Sequence, residues 1–357
     1  MSGSLKALAF ACVPAVILLS SAPLFAATRN PKLPTVVVVA TGGTIAEATD
    51  PKTGGAVPTL TGEGLIAAVP GLAKIANIEM VNFCDIDSSQ MTPEIWAKLS
   101  AKVDEFLRRS NVAGAVVTHG TDTMAEGAYF LDLTLKSRKP VVFVGAMRDA
   151  SDVSPDGPAN ILNAVTQVLS PEAKSWGVTV TLNQYVCSAR NVRKTQTTNV
   201  QTFTDGEKGY LGYIAMGKVQ HFNDRPPRLS LAVPKKLPDV PLITQYAGSD
   251  GRFVRHAVDS GAAGIVVEGV GAGNVNAAIN ESILYALKNK VPVVITSRVG
   301  HGAVMPIYGD EGGGETLERE GAILAGDLPG PKARLLLMLA LPRVGNDTRK
   351  LKEFFSL

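Results

Sequence analysis

Short apolar runs rich in valine, isoleucine and alanine recur along the chain, with segments of mixed polarity between them. These runs span residues 36–40, 114–118, 141–144, 178–182, 264–267 and 291–296. Because most of these runs are apolar without interruption, they predict strands that are buried on both faces of a sheet. The intervening segment 92–110 is amphipathic and opens with Thr92-Pro93-Glu94, which is typical of a helix with a threonine N-cap and proline at its first position.

Strands that alternate with helices predict an α/β protein with parallel sheets and right-handed crossovers. The chain has 357 residues, which exceeds one ordinary hydrophobic core, so two domains are expected. Proline and basic residues crowd segment 223–241, which lacks periodicity and therefore predicts the inter-domain linker. We expect a larger N-terminal domain over residues 27–222, with a doubly wound and mostly parallel sheet, and a smaller C-terminal α/β domain over residues 242–357.

Residues 1–26 have the pattern of a secretory signal peptide. Lys6 precedes an apolar run over residues 7–19, small residues follow the run, and Ala26 offers a cleavage site. The run is shorter than the ~20 residues that a membrane-spanning helix needs, although a retained membrane anchor is the alternative. The pattern predicts export to the periplasm, with no membrane contact after the signal is cleaved.

Composition and charge narrow the classes of function. Hydrophobic residues make up 45% of the chain and charged residues 19%, which is typical of a well-packed folded protein. The net charge is only +3, and no basic block is interleaved with aromatic residues, so a nucleic-acid partner is not expected. The histidines are far apart in sequence and no metal-ligand spacing occurs, so neither a metal nor a cofactor is expected. For Cys84 and Cys187, a single disulfide and two buried thiols are both open.

Four loops with polar residues, three of which contain glycine, follow apolar runs. They read TGGT at 41–44, HGTDT at 119–123, GAMR at 145–148 and RNVRKT at 190–195. Taken singly, such loops are typical of tight turns or helix N-caps. Because ligands bind beyond the carboxyl ends of parallel strands, we expect these loops to converge and to bring hydroxyl groups, an acid and a lysine together.

This set of groups indicates acyl transfer through a threonine ester. A threonine hydroxyl is a weak nucleophile until a base removes its proton, and a desolvated lysine can act as that base. Asp122 would hold the lysine, and backbone N–H groups of the Gly-Gly turn would stabilise an oxyanion.

The motifs TGGTIA, HGTDTM, VGAMR with the following SPDGPAN, and RNVRKT together resemble the bacterial L-asparaginase family, in its exported type II class. The similarity runs from Val36 to the C-terminal PKARLLLMLAL. It implies hydrolysis of L-asparagine to L-aspartate and ammonia. L-Glutamine is the nearest rival substrate, since one added methylene changes discrimination by only ~1–3 kcal/mol.

The resemblance also implies roles for individual residues. Thr44 matches the primary nucleophile of the family. Thr121, Asp122 and Lys194 match a second triad, in which Thr121 is polarised towards water or the acyl centre. The positions that match substrate-binding residues are Gly43, Ser88, Ser89, Gly120, Asp122 and Asn274.

Among these, Ser88 matches the serine that binds the substrate's α-carboxylate, and Asp122 also matches the partner of the α-amino group. Asn274 matches an asparagine supplied by the neighbouring subunit. The resemblance implies a homotetramer, assembled as a dimer of dimers, whose active sites are shared across the dimer interface.

The chain departs from the family pattern at three places. The family carries a tyrosine shortly after TGGTIA that activates the first threonine, whereas this chain has no tyrosine before Tyr129. Tyr308, in the C-terminal loop, is a candidate replacement whose hydroxyl would approach Thr44 across the dimer interface; alternatively, its ring only packs under that glycine-rich loop. An acidic residue of the family's C-terminal loop is hard to place, and Ser89 stands where exported members tend to carry glutamine or glutamate.

Two other classes of protein stay open. Exported two-domain α/β chains are often periplasmic solute-binding proteins, but these normally cross the hinge more than once and need no Thr–Lys pair. An enzymatically inactive relative is the other class, because the tyrosine is missing.

Overall fold

The computed structural model describes residues 29–58, 62–69 and 71–356. The predicted signal peptide, residues 1–26, lies outside this described part. No helix within the described ranges is both long enough and apolar enough to cross a membrane.

Sixteen strands and ten α-helices are defined within those ranges. The strands are β1 (Thr35–Ala40), β2 (Glu47–Thr49), β3 (Ala56–Pro58), β4 (Asn77–Asn82), β5 (Val112–Thr118), β6 (Val141–Val144), β7 (Val178–Leu182), β8 (Tyr185–Ser188), β9 (Arg193–Lys194), β10 (Phe203–Thr204), β11 (Gly212–Ala215), β12 (Lys218–His221), β13 (Leu242–Thr244), β14 (Ile265–Gly269), β15 (Val293–Ser297) and β16 (Ile323–Leu324). The helices are α1 (Gly62–Ala67), α2 (Leu72–Ile75), α3 (Pro93–Leu107), α4 (Met124–Thr134), α5 (Gly157–Leu169), α6 (Arg252–Asp259), α7 (Ala277–Lys288), α8 (Gly314–Arg319), α9 (Gly330–Val344) and α10 (Thr348–Phe355).

An eight-stranded sheet in the order β12-β11-β8-β7-β6-β5-β1-β4 forms the centre of the N-terminal part. The pairs from β4 through β1, β5 and β6 to β7 are parallel, and β8, β11 and β12 extend that edge in antiparallel pairs. This arrangement confirms the predicted larger, mostly parallel sheet.

Strand β1 is buried on both faces, as its unbroken valine run predicts. Val37 and Val39 belong to the core that contains α3 and α4, whereas Val36 and Val38 belong to the core that contains α5. Because both sides of β1 are covered by helices, only the end of the strand is open to a ligand.

A second, four-stranded sheet in the order β13-β14-β15-β16 is entirely parallel and forms the smaller α/β unit. Helices α6, α7 and α8 share a core with one face, through residues such as Ile265 and Ile295. Helix α9 packs on the other face and also contacts α4. Its leucines therefore join the smaller unit to the core of the larger one.

The proline-rich stretch 223–241, which the sequence predicts as the linker, contains no helix or strand. The Arg228 Nε atom donates to the Asp132 carbonyl at 2.7 Å, and the backbone N–H of Leu231 donates to the Leu133 carbonyl at 2.7 Å. Because Leu231 is also buried, the stretch is packed along the end of α4 rather than standing free of the domain surface.

Cys84 and Cys187 are free thiols in this structure, which decides between the two possibilities that the sequence leaves open. Cys187 lies in β8 and is buried, and Cys84 is half-buried beside the Thr41 carbonyl. Burial raises the pKa of the Cys84 thiol to about 11 and raises the pKa of the Cys187 thiol well above its usual range, so both thiols are protonated at neutral pH.

Candidate active site

The loops that follow β1 and β5 meet at the carboxyl edge of the larger sheet. Thr41 donates both its backbone N–H and its hydroxyl to the Thr118 carbonyl, at 3.1 and 2.9 Å. Gly43 has a φ of 88°, and a Cβ atom at this position would lie 2.5 Å from the Gly120 nitrogen. Only glycine combines this backbone conformation with so close an approach, so TGGT and HGTDT fit together through their glycines.

Ser88 packs against the other side of the HGTDT loop. It begins a short 3₁₀ helix, Ser88–Gln90, and its side chain is buried. The Ser88 hydroxyl accepts the Asp122 backbone N–H at 3.2 Å, and a Cβ atom at Gly120 would lie 2.6 Å from the Ser88 Oγ atom. Ser89 is exposed, and its hydroxyl accepts from the Gln90 side chain at 3.3 Å. Of the serine pair, only Ser88 contacts this loop through its hydroxyl.

A lysine, a threonine and an aspartate form one cluster beside these loops. The Lys194 Nζ atom donates to Thr121 Oγ1 at 2.9 Å and to Asp122 Oδ1 at 2.6 Å. Lys194 lies in β9 opposite the buried Phe203, which fixes the strand, and Thr121 is itself buried. Since the amine donates to the Thr121 oxygen, the hydroxyl hydrogen of Thr121 is directed to another acceptor, such as water or a substrate.

The His119 side chain is buried beneath the HGTDT loop and contacts its backbone. Its ring is fully buried, its Nε2 atom lies 3.3 Å from Trp96 Nε1, and its Nδ1 atom lies 2.7 Å from the Gly120 carbonyl. An indole N–H can only donate, so Nε2 is the acceptor and the proton of the neutral ring is on Nδ1. Burial lowers the pKa of His119 to about 4, which keeps the ring in this neutral form. Sequence reasoning assigned His119 no role, because its partner Trp96 lies on a separate helix.

Thr44 begins a second 3₁₀ helix, Thr44–Ala46, immediately after Gly43. Glu47 follows this turn and donates its backbone N–H to the Thr44 carbonyl, and its carboxyl group is close enough to the Thr44 hydroxyl for that hydroxyl to lower its pKa. Glu47 is only 8% exposed. Burial raises the pKa of its carboxyl group; the Thr44 hydroxyl opposes this rise, and the negative charges of nearby aspartates add to it. Sequence reasoning missed Glu47, although residues three apart in a 3₁₀ turn lie on one side of it.

Two family models match the chain. The model described as "Asparaginase, N-terminal" matches residues 35–227, and the "Glutaminase/Asparaginase C-terminal domain" matches residues 239–355. The chain belongs to the asparaginase family. This finding confirms the resemblance that the TGGTIA, HGTDTM and RNVRKT motifs indicate.

Individual relatives of this asparaginase-family chain align over nearly its whole length. "L-asparaginase 2" of Bacillus subtilis is 38% identical, over 92% of this chain and 88% of the relative. "Probable L-asparaginase periplasmic" of Haemophilus influenzae is 39% identical, over 90% of this chain and 93% of the relative. The crystal structure of a probable cytoplasmic L-asparaginase from Campylobacter jejuni has a TM-score of 0.82 at 39% identity, covering 90% of this chain and 99% of that one.

The other two predicted site residues of this asparaginase-family chain, Asn274 and Tyr308, lie in the smaller unit. The Asn274 backbone N–H donates to the Val270 carbonyl at 2.9 Å, and its side-chain Oδ1 atom is buried with no hydrogen-bond partner in the described part of the chain. Tyr308 is 49% exposed, so its ring is not packed away, and its carbonyl accepts the Glu315 N–H at 3.0 Å. These hydrogen bonds stay within the smaller unit and do not join either residue to the cluster around Lys194.

A second lysine, on α9, links the smaller unit to the segment that precedes Lys194. Lys332 lies on α9, is 2% exposed, and donates from Nζ to the carbonyls of Ala189 and Val192 at 2.8 and 2.7 Å, and to a third carbonyl between them. Burial lowers the pKa of Lys332 to about 7. Because these carbonyls belong to the segment that leads into β9, Lys332 fixes the backbone immediately before Lys194. The sequence pattern gave no signal for this role.

Proposed function

We propose that this protein hydrolyses L-asparagine to L-aspartate and ammonia through a threonine ester. The main support for the proposal is the contact of the Lys194 amine with Thr121 and Asp122. This contact lies next to the place where the TGGT and HGTDT loops pack together through Gly43 and Gly120. Membership of the asparaginase family and the names of its relatives support the same reaction.

In the first half of the reaction, the Thr44 hydroxyl attacks the side-chain amide carbon of asparagine. Backbone N–H groups of the glycine turn stabilise the oxyanion, and ammonia leaves as the β-aspartyl ester of Thr44 forms. In the second half, Thr121 and Lys194 position and activate a water molecule that adds to the ester carbon. The bond from this carbon to the Thr44 oxygen breaks, a proton of the water passes to that oxygen, and L-aspartate leaves with the Thr44 hydroxyl restored. Asp122 holds the Lys194 amine in place through its 2.6 Å contact.

Substrate recognition in this proposal uses charged and polar groups around the same loops. The Ser88 hydroxyl binds the α-carboxylate, and Asp122, whose side chain is 61% exposed, binds the α-amino group. Asn274 of a neighbouring subunit completes the site, which agrees with its unpartnered side-chain oxygen in the single chain. A shared site requires at least a dimer, and the family resemblance implies a homotetramer built as a dimer of dimers. L-Glutamine is the nearest alternative substrate.

The proposed location is the periplasm, after removal of residues 1–26 as a signal peptide. The periplasmic name of the Haemophilus influenzae relative supports this location, whereas the Campylobacter jejuni relative is named as cytoplasmic. Fractionation of cells that express the full chain, with N-terminal sequencing of the product, tests both the location and the cleavage site.

The function is tested by incubating the chain that begins at residue 27 with L-asparagine and measuring ammonia and aspartate, with L-glutamine in parallel. The Thr44→Val variant is the matched control, since valine has nearly the shape of threonine and lacks the hydroxyl. Equal amounts of ammonia and aspartate from the parent, and none from the variant, are expected. Binding of asparagine without any product would instead indicate a solute-binding protein or an enzymatically inactive relative.

A further inference from the structure

The Thr44 hydroxyl needs a group that accepts its proton, because a neutral hydroxyl is a poor nucleophile at neutral pH. The segment that follows the turn, residues 47–58, contains no tyrosine. It begins with Glu47, which is buried, donates its backbone N–H to the Thr44 carbonyl and has a carboxyl group that interacts with the Thr44 hydroxyl within the same chain.

The backbone around Glu47 is fixed on both sides. Ile45, in the turn before it, is buried in the core against α5, where a Cβ atom on Gly157 would lie 3.0 Å from Ile45 Cγ1. The Glu47 carbonyl accepts the Ala150 N–H at 3.1 Å, and the Thr49 N–H donates to the Ser151 hydroxyl at 3.0 Å. Strand β2 is therefore attached to the loop after β6, which fixes the backbone of Glu47 directly after the Thr44 turn.

Three aspartates from two loops lie close enough to Glu47 for their negative charges to act on its carboxyl group. Asp87 caps the 3₁₀ helix that carries Ser88, Asp149 lies in the loop after β6, and Asp85 follows β4. Their negative charges and the burial of Glu47 both strengthen its affinity for a proton. A carboxylate in such a surrounding is a stronger base than an exposed glutamate, which suits it to take a proton from a hydroxyl.

We propose that Glu47 is the catalytic base for Thr44. The inference rests on the proposed function, in which Thr44 is the nucleophile. The Glu47 carboxylate takes the Thr44 proton as the Thr44 oxygen bonds to the amide carbon. The protonated Glu47 then donates that proton to the amide nitrogen, the carbon–nitrogen bond breaks, ammonia leaves, and the β-aspartyl ester remains on Thr44. The proton moves from the Thr44 hydroxyl through Glu47 to the substrate amide nitrogen, so the step needs no other reactant.

The experiment compares the parent with Glu47→Gln and Glu47→Asp, measuring kcat, KM and the pH profile of kcat/KM for L-asparagine. Glutamine keeps the size and a hydrogen-bonding group but accepts no proton, so kcat should fall by about 10²-fold or more while KM and the melting temperature change little. Aspartate keeps a carboxylate but is one methylene shorter than glutamate. Glu47→Asp should therefore retain more of the parental kcat than Glu47→Gln. In the parent, activity should fall as acid protonates Glu47, with an apparent pKa above that of an ordinary glutamate. This acidic limb should be absent from the residual activity of Glu47→Gln.

Asp149→Asn is the matched control for the charge effect. It removes one negative charge near Glu47 but keeps an acceptor for the Ser151 N–H, so the acidic limb should move to lower pH with kcat within about 3-fold of the parent. A melting temperature in Glu47→Gln that matches the parent separates loss of the base from loss of the fold.

Several results would overturn the inference. A Glu47→Gln variant within about 3-fold of the parent, or one that keeps the acidic limb, would exclude Glu47 as the base. A fall in kcat of about 10²-fold in Tyr308→Phe, with Glu47→Gln unaffected, would give the role to the tyrosine of the smaller unit instead. A parent without any amidase activity would overturn the proposed function and this inference with it, whereas an active parent with an active Glu47→Gln overturns this inference alone.

Discussion

The Nζ atom of Lys194 lies 2.9 Å from the Oγ1 atom of Thr121, although the two residues are 73 positions apart in the chain. The contact forms because β9 brings Lys194 to the edge of the sheet where the loop after β5 ends. The same amine contacts Asp122, so a cation, a hydroxyl and a carboxylate share one point of the fold.

Loss of this amine or of its partner hydroxyl should therefore stop catalysis without unfolding the protein. Lys194→Met and Thr121→Val should each lower kcat by roughly 10³-fold or more, since both remove the group that activates water. Steady-state ammonia assays measure the effect, with Lys98→Met, at an exposed position of α3, as the matched control. Near-parental turnover in either of the two variants would remove the cluster from the mechanism.

The neutral, buried ring of His119 should make the protein less stable in acid. Its pKa is about 4 when folded and 6.5 in the reference state, so the unfolded chain binds more protons between these values. The contribution is fully present above pH 6.5 and is lost as pH falls to about 4, which amounts to on the order of 3 kcal/mol of unfolding free energy. Urea denaturation of the parent and of His119→Gln across this range measures it. Parallel stability curves for the two proteins would contradict the assignment.

The contact between Gly43 and Gly120 should make position 43 more sensitive to substitution than another glycine with positive φ. Gly54 has a φ of 69° but open space around it, so Gly54→Ala should cost about 1–2 kcal/mol from backbone conformation alone. Gly43→Ala adds a clash with the Gly120 backbone and should cost about 1–3 kcal/mol more. Denaturation midpoints with unchanged slopes provide the comparison, and equal costs at the two sites would argue that the loops do not meet as described.

The proposed sharing of active sites predicts that Asn274 acts on a neighbour's substrate. Asn274→Ala should lower kcat/KM by roughly 10-fold or more, because one hydrogen bond to a charged substrate is lost, while light scattering should give the same assembly as the parent. A fully active monomer at assay concentration would refute the shared site.

The sheet core was predictable from sequence because its strands are continuous apolar runs. The predicted starts at residues 36 and 114 differ by one and two positions from those of β1 and β5, and the predicted helix 92–110 is α3 with Thr92 as its N-cap. Strand ends moved because pairing with neighbours, rather than side-chain hydrophobicity, decides where a strand begins.

The residues that hold the site were harder to predict than the loops that form it. Lys194, Thr121 and Asp122 stood out because the loops after parallel strands converge by rule. His119 and Lys332 gave no signal, because their partners lie on α3 and on the segment before β9, far along the chain. The position of Glu47 next to Thr44 could be predicted only if Thr44–Ala46 were recognised as a 3₁₀ turn, and the sequence TIA does not indicate such a turn.

The central claim is that Thr44 carries the acyl group of the substrate. The most direct measurement is mass spectrometry of the Lys194→Met variant, mixed with L-asparagine, quenched in acid and digested. Because the water that hydrolyses the ester is no longer activated, we predict a β-aspartyl group on the peptide that contains Thr44, and none in a variant that also carries Thr44→Val. Unmodified Thr44 together with an aspartyl group on Thr121, or turnover with Thr44→Val at the parental rate, would contradict the account.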